Sequence, residues 1–388
     1  MSLLTLLRAV RPCSPPRGRL VVYDREGSDR LLSTALMGLD HAILPTRRET
    51  FHLSPAILWR MLKNLRLIDE WRLGRLFVVY LYSCLEYMDP DVVITYIDND
   101  PFFHRLSRLY RGAAFIAVQN GVKTPEGMAT HSQHPMGWLP EPPAWGSRTS
   151  MPELFCWGEH EVEIYSRYGH EVDRLHPVGA LMGGYYKSVV APEAPPIEYD
   201  VLLVSQWRAS VMQDGEYPYL LKGKTLLHEF LAKYSAERRP RLAVALCSKD
   251  PRETHYFRDY FGTEAALVAF DREGLSTYRA MDRAEVSVAL SSAAAYEAVG
   301  WGKKVFFCNF TGVDARDCPR KGFWSLETSD YADFRARLDR LRAMPSDEFA
   351  REAGPHMRYL MAFDPERPAH AAVRERVLEA LAAPPAVP

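Results

Sequence analysis

Residues 285–311 read EVSVALSSAAAYEAVGWGKKVFFCNFT, and this stretch decides the fold. Val286, Val288 and Leu290 alternate and run into the paired hydroxyls of Ser291 and Ser292. Three alanines then open a short helix, Tyr296 and Glu297 sit in its first turns, and Gly300 and Gly302 end it. Lys303 and Lys304 lead into VFFCNF, an apolar run of strand length. The order is strand, turn, helix, strand. A strand that passes through small hydroxyl residues into a helix N-terminus makes an anion site, because free N–H groups and the positive end of the helix dipole face the space above the turn. Serine hydroxyls add donors, and small alanines let a phosphate approach the backbone. The plainer alternative is an N-capped helix with no ligand, since serine is a common N-cap.

The same grammar fills the second half of the chain. Residues 199–204, YDVLLV, predict a strand that ends in Ser205, Gln206, Trp207 and Arg208. A helix is expected to start near 222. Residues 241–246 predict a strand ending at Cys247, Ser248, Lys249 and Asp250, residues 265–270 another strand, and residues 276–281 a helix. Side by side on one sheet edge, these strand ends would supply hydroxyls, a ring to stack a base and cations for a phosphate. Glu297 can accept two protons from a ribose diol. Later helices are expected near 331–344, 347–361 and 370–381, the last crossing back to the first domain.

The first half is also α/β. Residues 19–23, RLVVY, predict a strand, with a turn at Asp24 to Gly27 and a helix capped by Ser28 and Asp29 through about Gly38. Residues 92–97 predict a buried strand that ends in Asp98-Asn99-Asp100-Pro101. A helix follows at 102–110, then a strand at 114–118 ending in Gln119-Asn120-Gly121. Ligands of open α/β sheets sit at this carboxyl edge. Two carboxylates two residues apart can divide labour, one as base or nucleophile and one as orienter. Alternatively, one caps the next helix with Pro101 at its first position.

Residues 53–73 predict an amphipathic helix, with Phe51, Ile57, Leu58, Met61, Leu62 and Leu65 on one face and Arg60, Lys63 and Arg66 flanking it. It reads either as an ordinary surface helix or as a basic face that meets an anionic lipid surface or a lipid-linked acceptor. Residues 122–150 form a long loop rich in Pro, Gly, Trp, His and Met, a length often tied to function. Glu126 and Arg148 in that loop are charged residues that could face a substrate. The pair His131 and His134 has a possible metal spacing but no further ligands nearby, so no metal site is expected.

With 388 residues the chain suits two domains. The Pro-rich stretch at 191–197 marks a linker, which divides the chain into residues 1–195, 196–365 and a C-terminal helix and frayed tail at 366–388. The formal charge of -1 argues against a nucleic-acid partner. The six cysteines are scattered without a CxxC pair and read as reduced thiols rather than a disulfide frame or zinc site. No apolar run approaches bilayer length and the start lacks signal-peptide order, so a cytoplasmic protein is expected, with peripheral inner-membrane contact open.

The segments VVITYIDND (92–100), AFIAVQNG (114–121), YDVLLVSQWR (199–208) and VALSSAAAYEAVGWGKKVFF (288–307) resemble the GT-B glycosyltransferases. They are similar to bacterial surface-carbohydrate transferases of capsule and O-antigen synthesis, a group with retaining Kdo transferases and sialyltransferase-like enzymes. The resemblance spans residues 91–309. It implies two Rossmann-like domains facing across a cleft. It implies a sugar, Kdo or another CMP-linked one, moved from a nucleotide donor to a glycan or glycolipid acceptor, with no metal or other cofactor. On this reading Asp98 or Asp100 is the catalytic carboxylate, and Asn99, Gln119 and Asn120 hold the sugar. The nucleotide is held by Ser205, Gln206, Trp207, Ser248, Lys249, Ser291, Ser292, Tyr296 and Glu297. The alternatives are a nucleotide-sugar epimerase or polyol-phosphate transferase on the same frame, and a non-catalytic glycan-binding subunit. A two-domain oxidoreductase is disfavoured because no G-x-G-x-x-G follows either first strand.

Overall fold

A computed structural model of the chain describes residues 9–47, 50–67, 73–123, 150–167 and 170–383. In the first half the strands are β1 (Val10–Arg11), β2 (Leu20–Tyr23), β3 (Ala42–Leu44), β4 (Phe51–His52), β5 (Val92–Thr95), β6 (Ala114–Val118), β7 (Ser150–Cys156) and β8 (Glu171–Pro177). The second half adds β9 (Tyr199–Val204), β10 (Leu242–Ala245), β11 (Ala266–Val268), β12 (Ala284–Ala289), β13 (Lys304–Cys308) and β14 (Ser325–Leu326). They build two six-stranded sheets, ordered β3-β2-β5-β6-β7-β8 and β11-β10-β9-β12-β13-β14, while β1 and β4 pair separately. Every pairing is parallel. Both sheets are mixed α/β layers of the Rossmann type, and the second has the strand order 3-2-1-4-5-6.

The reason lies in the strands themselves. β2, β5 and β10 are buried at every position. A strand apolar on both faces needs a cover on each, which helical crossovers provide. In β2, Val21 and Tyr23 join one core with Val93, Phe103 and Phe115, under helices Leu73–Met88 and Pro101–Leu109. Leu20 and Val22 point the other way, into a core with Ile94, Ile116 and Leu36. The C-terminal helix Ala369–Ala382 closes that second face through Ala372, Val373, Val377 and Ala380.

Contacts divide the chain into two units. One comprises Met1–Trp157, Glu161–Met182 and Glu366–Pro388, the other Gly158–His160 and Gly183–Pro365. The sequence reading draws the line at 195, after the residues that carry the real division. Gly183 N–H donates to Glu297 Oε2 at 2.8 Å, and Lys187 Nζ donates to Asp282 Oδ2 at 3.1 Å. Those bonds commit the stretch before the proline-rich segment to the second unit. A Cβ on residue 183 would lie 3.0 Å from the Trp301 ring and 3.1 Å from Glu297, so glycine permits the approach.

Other expectations shift at their ends. The helix expected at 53–73 is Pro55–Asn64 with a 3₁₀ turn at Leu65–Leu67, and Phe51 belongs to β4. The helix expected at 347–361 is two helices, Ser346–Glu352 and Gly354–Leu360, broken where Gly354-Pro355 interrupts it. The helix begun near 222 runs over Pro218–Arg238. Among the described residues no helix is long and apolar enough to cross a membrane.

One buried ion cluster ties the C-terminal helix to the first sheet. Glu153 of β7 is 2% exposed, and Arg376 grips it twice, Nε at 2.8 Å and Nη2 at 2.6 Å. Arg174 pairs with the same carboxylate, and His176 Nε2 lies 3.5 Å away. Burial alone raises the Glu153 carboxyl, but hydrogen bonds from His176 and Arg376 and the charges of Arg376 and Arg174 outweigh it and hold it at about 2. A carboxyl lower in the folded than in the unfolded chain stabilises the fold above its ordinary value near 4.5, and that contribution fades as pH falls towards 2. Glu153→Gln is therefore expected to cost about 3 kcal/mol at neutral pH, by leaving buried cations unpaired. Urea denaturation between about pH 5 and pH 3 should fall less steeply in the variant than in the parent chain.

Candidate functional site

In the second unit β9 lies at the centre of the sheet. The chain moves outwards through β10 and β11, then returns to the other side of β9 with β12. The carboxyl ends of β9 and β12 therefore adjoin at the point where strand order reverses, the place where open α/β sheets leave a crevice. Ser205 to Arg208 follow β9, and Ser291 and Ser292 follow β12. Gln206 joins the two. Its Oε1 accepts the Ser291 N–H at 3.0 Å, and its backbone carbonyl accepts from Lys224 Nζ.

Ser292 occupies the N-cap of helix Ala293–Gly300 in an extended conformation and makes no side-chain cap bond. The first turn is thus left to present its N–H groups outwards. Ala293 and Ala294 are only partly buried, so the approach is open there. Gly302, at φ 84°, ends this helix. Tyr296 is turned inwards, stacked on Phe307 with ring centroids 4.4 Å apart.

A residue absent from the sequence expectations organises this edge. Glu253 is fully buried at 0% exposure. It accepts from Ser205 Oγ at 2.5 Å, Cys247 N at 3.0 Å, Ser248 N at 2.9 Å and Ser248 Oγ at 2.7 Å. Asp250 is the N-cap of helix Pro251–Phe261, and Glu253 stands three residues on. That is capping-box spacing, a signal present in SKDPRE. Here the glutamate reaches beyond its own cap to the ends of β9 and β10.

Several expected ligand contacts accordingly face the protein. The hydroxyls of Ser205 and Ser248 point at Glu253. Trp207 is 4% exposed, with its indole Nε1 buried and unpartnered among the described residues, so it is no open stacking platform. Glu297 is 4% exposed and accepts from Gly183 N and Tyr278 Oη, each at 2.8 Å. Lys249 is exposed.

Cations gather beside Gln206. Lys224 is buried, and its ammonium is pushed down to about 8, first by burial and then by the like charges of Arg208 and Arg316. None of these three forms an ion pair with a carboxylate among the described residues. Arg208 is exposed and Arg316 partly so, its guanidinium 5.7 Å from the Tyr219 ring. Arg208 and Arg316 thus act as like charges on Lys224, and Gln206 links Lys224 to the Ser291 N–H.

The first unit repeats the strand geometry with carboxylates. Its sheet reverses between β2 and β5, so their carboxyl ends adjoin. Of Asp98 and Asp100, the second is the helix cap. Asp100 caps helix Pro101–Leu109, its Oδ1 accepting from Phe102 N at 2.7 Å and Phe103 N at 3.1 Å. Tyr23 Oη also donates to it at 3.3 Å. Burial pushes the Asp100 carboxyl up to about 6, against the pull of those two N–H groups. Asp98 has 0% exposure and pairs with Lys123, Nζ to Oδ2 2.7 Å. The Asn120 N–H approaches its other oxygen at 3.5 Å.

Asn99 is exposed between them. Gln119 is committed to the fold. Its Nε2 donates to Gly121 O at 2.8 Å and Glu161 Oε1 at 3.1 Å, and its Oε1 accepts Trp157 N at 3.0 Å. A third carboxylate, Asp24, follows β2 at φ 74°, buried, with Arg47 Nε at 2.7 Å. Its position at the end of the first strand was the available signal; the sequence reading treated it as a turn. Glu126, His131, His134 and Arg148 lie outside the described residues.

No family model matches the chain, and no curated protein sequence matches it. Solved structures do. The chain is similar to MnaA of Staphylococcus aureus, solved with UDP, at 11% identity over 93% of this chain and 95% of that one, with a TM-score of 0.53. It is similar to the UDP-GlcNAc 2-epimerase of Methanocaldococcus jannaschii at 13% identity, over 93% and 98% of the two chains, with a TM-score of 0.51. A putative UDP-N-acetylglucosamine 2-epimerase from Listeria monocytogenes matches at 12% identity over 93% and 95%, also with a TM-score of 0.51. At this level of identity the likeness establishes the fold, which is GT-B-like, with two Rossmann-like domains.

Proposed function

We propose that the chain is an enzyme acting on a nucleotide-activated sugar, and that it transfers the sugar to a glycan or lipid-linked acceptor. The observation that carries this reading is the group Arg208, Lys224 and Arg316, without carboxylate partners among the described residues, linked through Gln206 to the Ser291 N–H that precedes helix Ala293–Gly300. The diphosphate or monophosphate of the donor meets the N–H groups of that turn with Ser291 and Ser292. The three cations supply the countercharge to the leaving phosphate, and donors already aimed at it need no reorganisation. No metal or other cofactor is part of the proposal. Glu253 holds the loops in place, and Glu297 positions its helix against Gly183.

Asp98 is the carboxylate we assign to chemistry, because Asp100 is occupied as a cap. In an inverting reaction Asp98 takes the proton of the acceptor hydroxyl. In a retaining reaction by two displacements it is the nucleophile. Lys123 fixes its orientation. On the resemblance of residues 288–307 the donor is a CMP-linked sugar such as Kdo, and the product a surface glycan. A second reading, nucleotide-sugar epimerisation, is favoured by the epimerases among the similar structures. Nucleotide release that depends on acceptor supports transfer. Epimer formed without acceptor supports the second reading.

A thermal-shift panel of CMP, CDP, UDP and GDP tests the binding step, since a ligand of the native state raises its melting point. At least one nucleotide should shift the transition, and no shift with any of them would end the proposal. Arg208→Ala and Lys224→Met should each weaken that nucleotide by about tenfold or more, as expected for a charge-assisted hydrogen bond. Lys224 loses its charge as pH rises through about 8, so affinity should fall above that pH. The slope reaches about tenfold per pH unit at most. Lys224→Met should flatten that profile, read by titration calorimetry between pH 7 and pH 9.

Asp98→Asn should lower turnover by roughly 10²–10⁴-fold while nucleotide affinity changes little. Steady-state rates and calorimetry on the same preparation check both halves. Full activity in that variant would remove Asp98 from the mechanism.

A further inference from the structure

Helix Pro55–Asn64 has two apolar faces, and only one is covered. Ser54 Oγ accepts the Ile57 N–H at 3.3 Å and Pro55 takes the first position, which fixes where the helix begins. Ile57 is fully buried and Met61 packs on the same core. Asn64, also buried, donates to Ser83 Oγ at 3.2 Å and Glu86 Oε2 at 3.0 Å. At about 100° per residue these three positions span one arc of about 60°. Leu58, Trp59 and Leu62 fall on a separate arc, and they are 46%, 59% and 62% exposed. Single exposed leucines are ordinary; three large apolar side chains on one helix face mark an interaction surface.

Cations predominate along this helix, although Glu49, Asp69 and Glu70 flank it in sequence. Residues 9–17 and 50–67 contain Arg11, Arg17, Arg60, Lys63 and Arg66 and no Asp or Glu. The two segments are joined. β1 pairs with β4, Leu53 N donates to Arg11 O at 2.9 Å, and Ser14 Oγ meets Ser54 Oγ at 2.7 Å. Lys63 Nζ lies 5.4 Å from the Trp59 ring centroid, so cation and indole adjoin on the surface. The carboxylate packed nearest is Glu86 of helix Leu73–Met88, held by Asn64 and 3.9 Å from Arg60 Nε. Arg60 and Arg17 both lie over Tyr87, at 5.2 Å and 4.7 Å.

We propose that this face docks on an anionic lipid surface. Leu58, Trp59 and Leu62 enter the headgroup boundary, where an indole is well placed, and Lys63 and Arg66 meet lipid phosphates from above it. The combination of apolar residues with Lys63 and Arg66, which pair with no carboxylate among the described residues, selects this occupant. A second copy of the chain would bring its own cations against them. The inference stands apart from the sugar-transfer reading and can hold if that reading fails.

Cosedimentation of the full chain with vesicles tests it. Vesicles of phosphatidylcholine with phosphatidylglycerol should pellet the protein, and vesicles of phosphatidylcholine alone should pellet far less. The double variant Trp59→Ser, Leu62→Ser should bind at least about tenfold more weakly, and Lys63→Glu should lose the dependence on anionic lipid and on salt. Both variants change exposed side chains, so each should keep the melting temperature and the nucleotide response of the parent. Absence of pelleting, equal pelleting on both vesicle types, or an unaffected double variant would each overturn the proposal. So would light scattering that shows a dimer lost in the double variant with no vesicle binding by the parent, since the occupant would then be a second copy.

Discussion

Four hydrogen bonds converge on the carboxylate of Glu253, which has no exposure to solvent. The carboxyl edge of the second sheet depends on that convergence. A buried N–H left without an acceptor costs about 1–3 kcal/mol, and Glu253 satisfies those of Cys247 and Ser248 together with two hydroxyls. It binds the end of β9 to the end of β10, and the Ser205 hydroxyl in turn accepts the Trp207 N–H at 3.1 Å. Residues 205–208 are fixed in consequence. Gln206 then stands where it can hold Ser291 on one side and Lys224 on the other. A residue in the first turn of one helix thereby sets the geometry of loops that reach another.

The two sheets use one topological device with opposite electrostatics. In each, strand order reverses beside the first long strand, and polar residues gather at the carboxyl ends. In the first unit the buried acids Asp24 and Asp98 each have a cation, Arg47 and Lys123. In the second, Arg208, Lys224 and Arg316 repel one another without a paired carboxylate among the described residues. A paired charge is already compensated. An unpaired buried ammonium pushed down to about 8 is not, and an arriving anion relieves it. That difference is what the proposal of an anionic ligand end at the second unit rests on.

Much of this was legible in the chain because parallel strands announce themselves. YDVLLV, VVIT and VFFC are continuous apolar runs, and each ends in polar residues, so both the sheets and the polar residues at their carboxyl ends followed from sequence. What a side chain at such an edge faces did not follow. Ser205 and Ser248 had hydroxyls at the right strand ends, but an acid 48 residues beyond Ser205 receives that hydroxyl. Trp207 and Glu297 were buried by neighbours that no local pattern names. The closing of the first sheet by Arg376 on Glu153, 223 residues apart, is of the same kind. The division near 183 rather than 195 followed from hydrogen bonds, whereas proline content marks only where the chain is stiff.

The helix at 55–64 shows the limit of periodicity most plainly. Ile57, Leu58, Met61 and Leu62 read in sequence as one apolar face, yet they belong to two arcs. A period of 3.6 residues locates apolar positions around an axis but carries no information about which arc meets a core. Packing decides that, and here the core reaches only as far as Ile57 and Met61. Burying a large apolar side chain is worth about 1.5–3 kcal/mol, so Leu58, Trp59 and Leu62 forgo that stabilisation in the isolated chain. The exposed apolar residues, with Lys63 beside Trp59, are what the lipid-docking proposal accounts for.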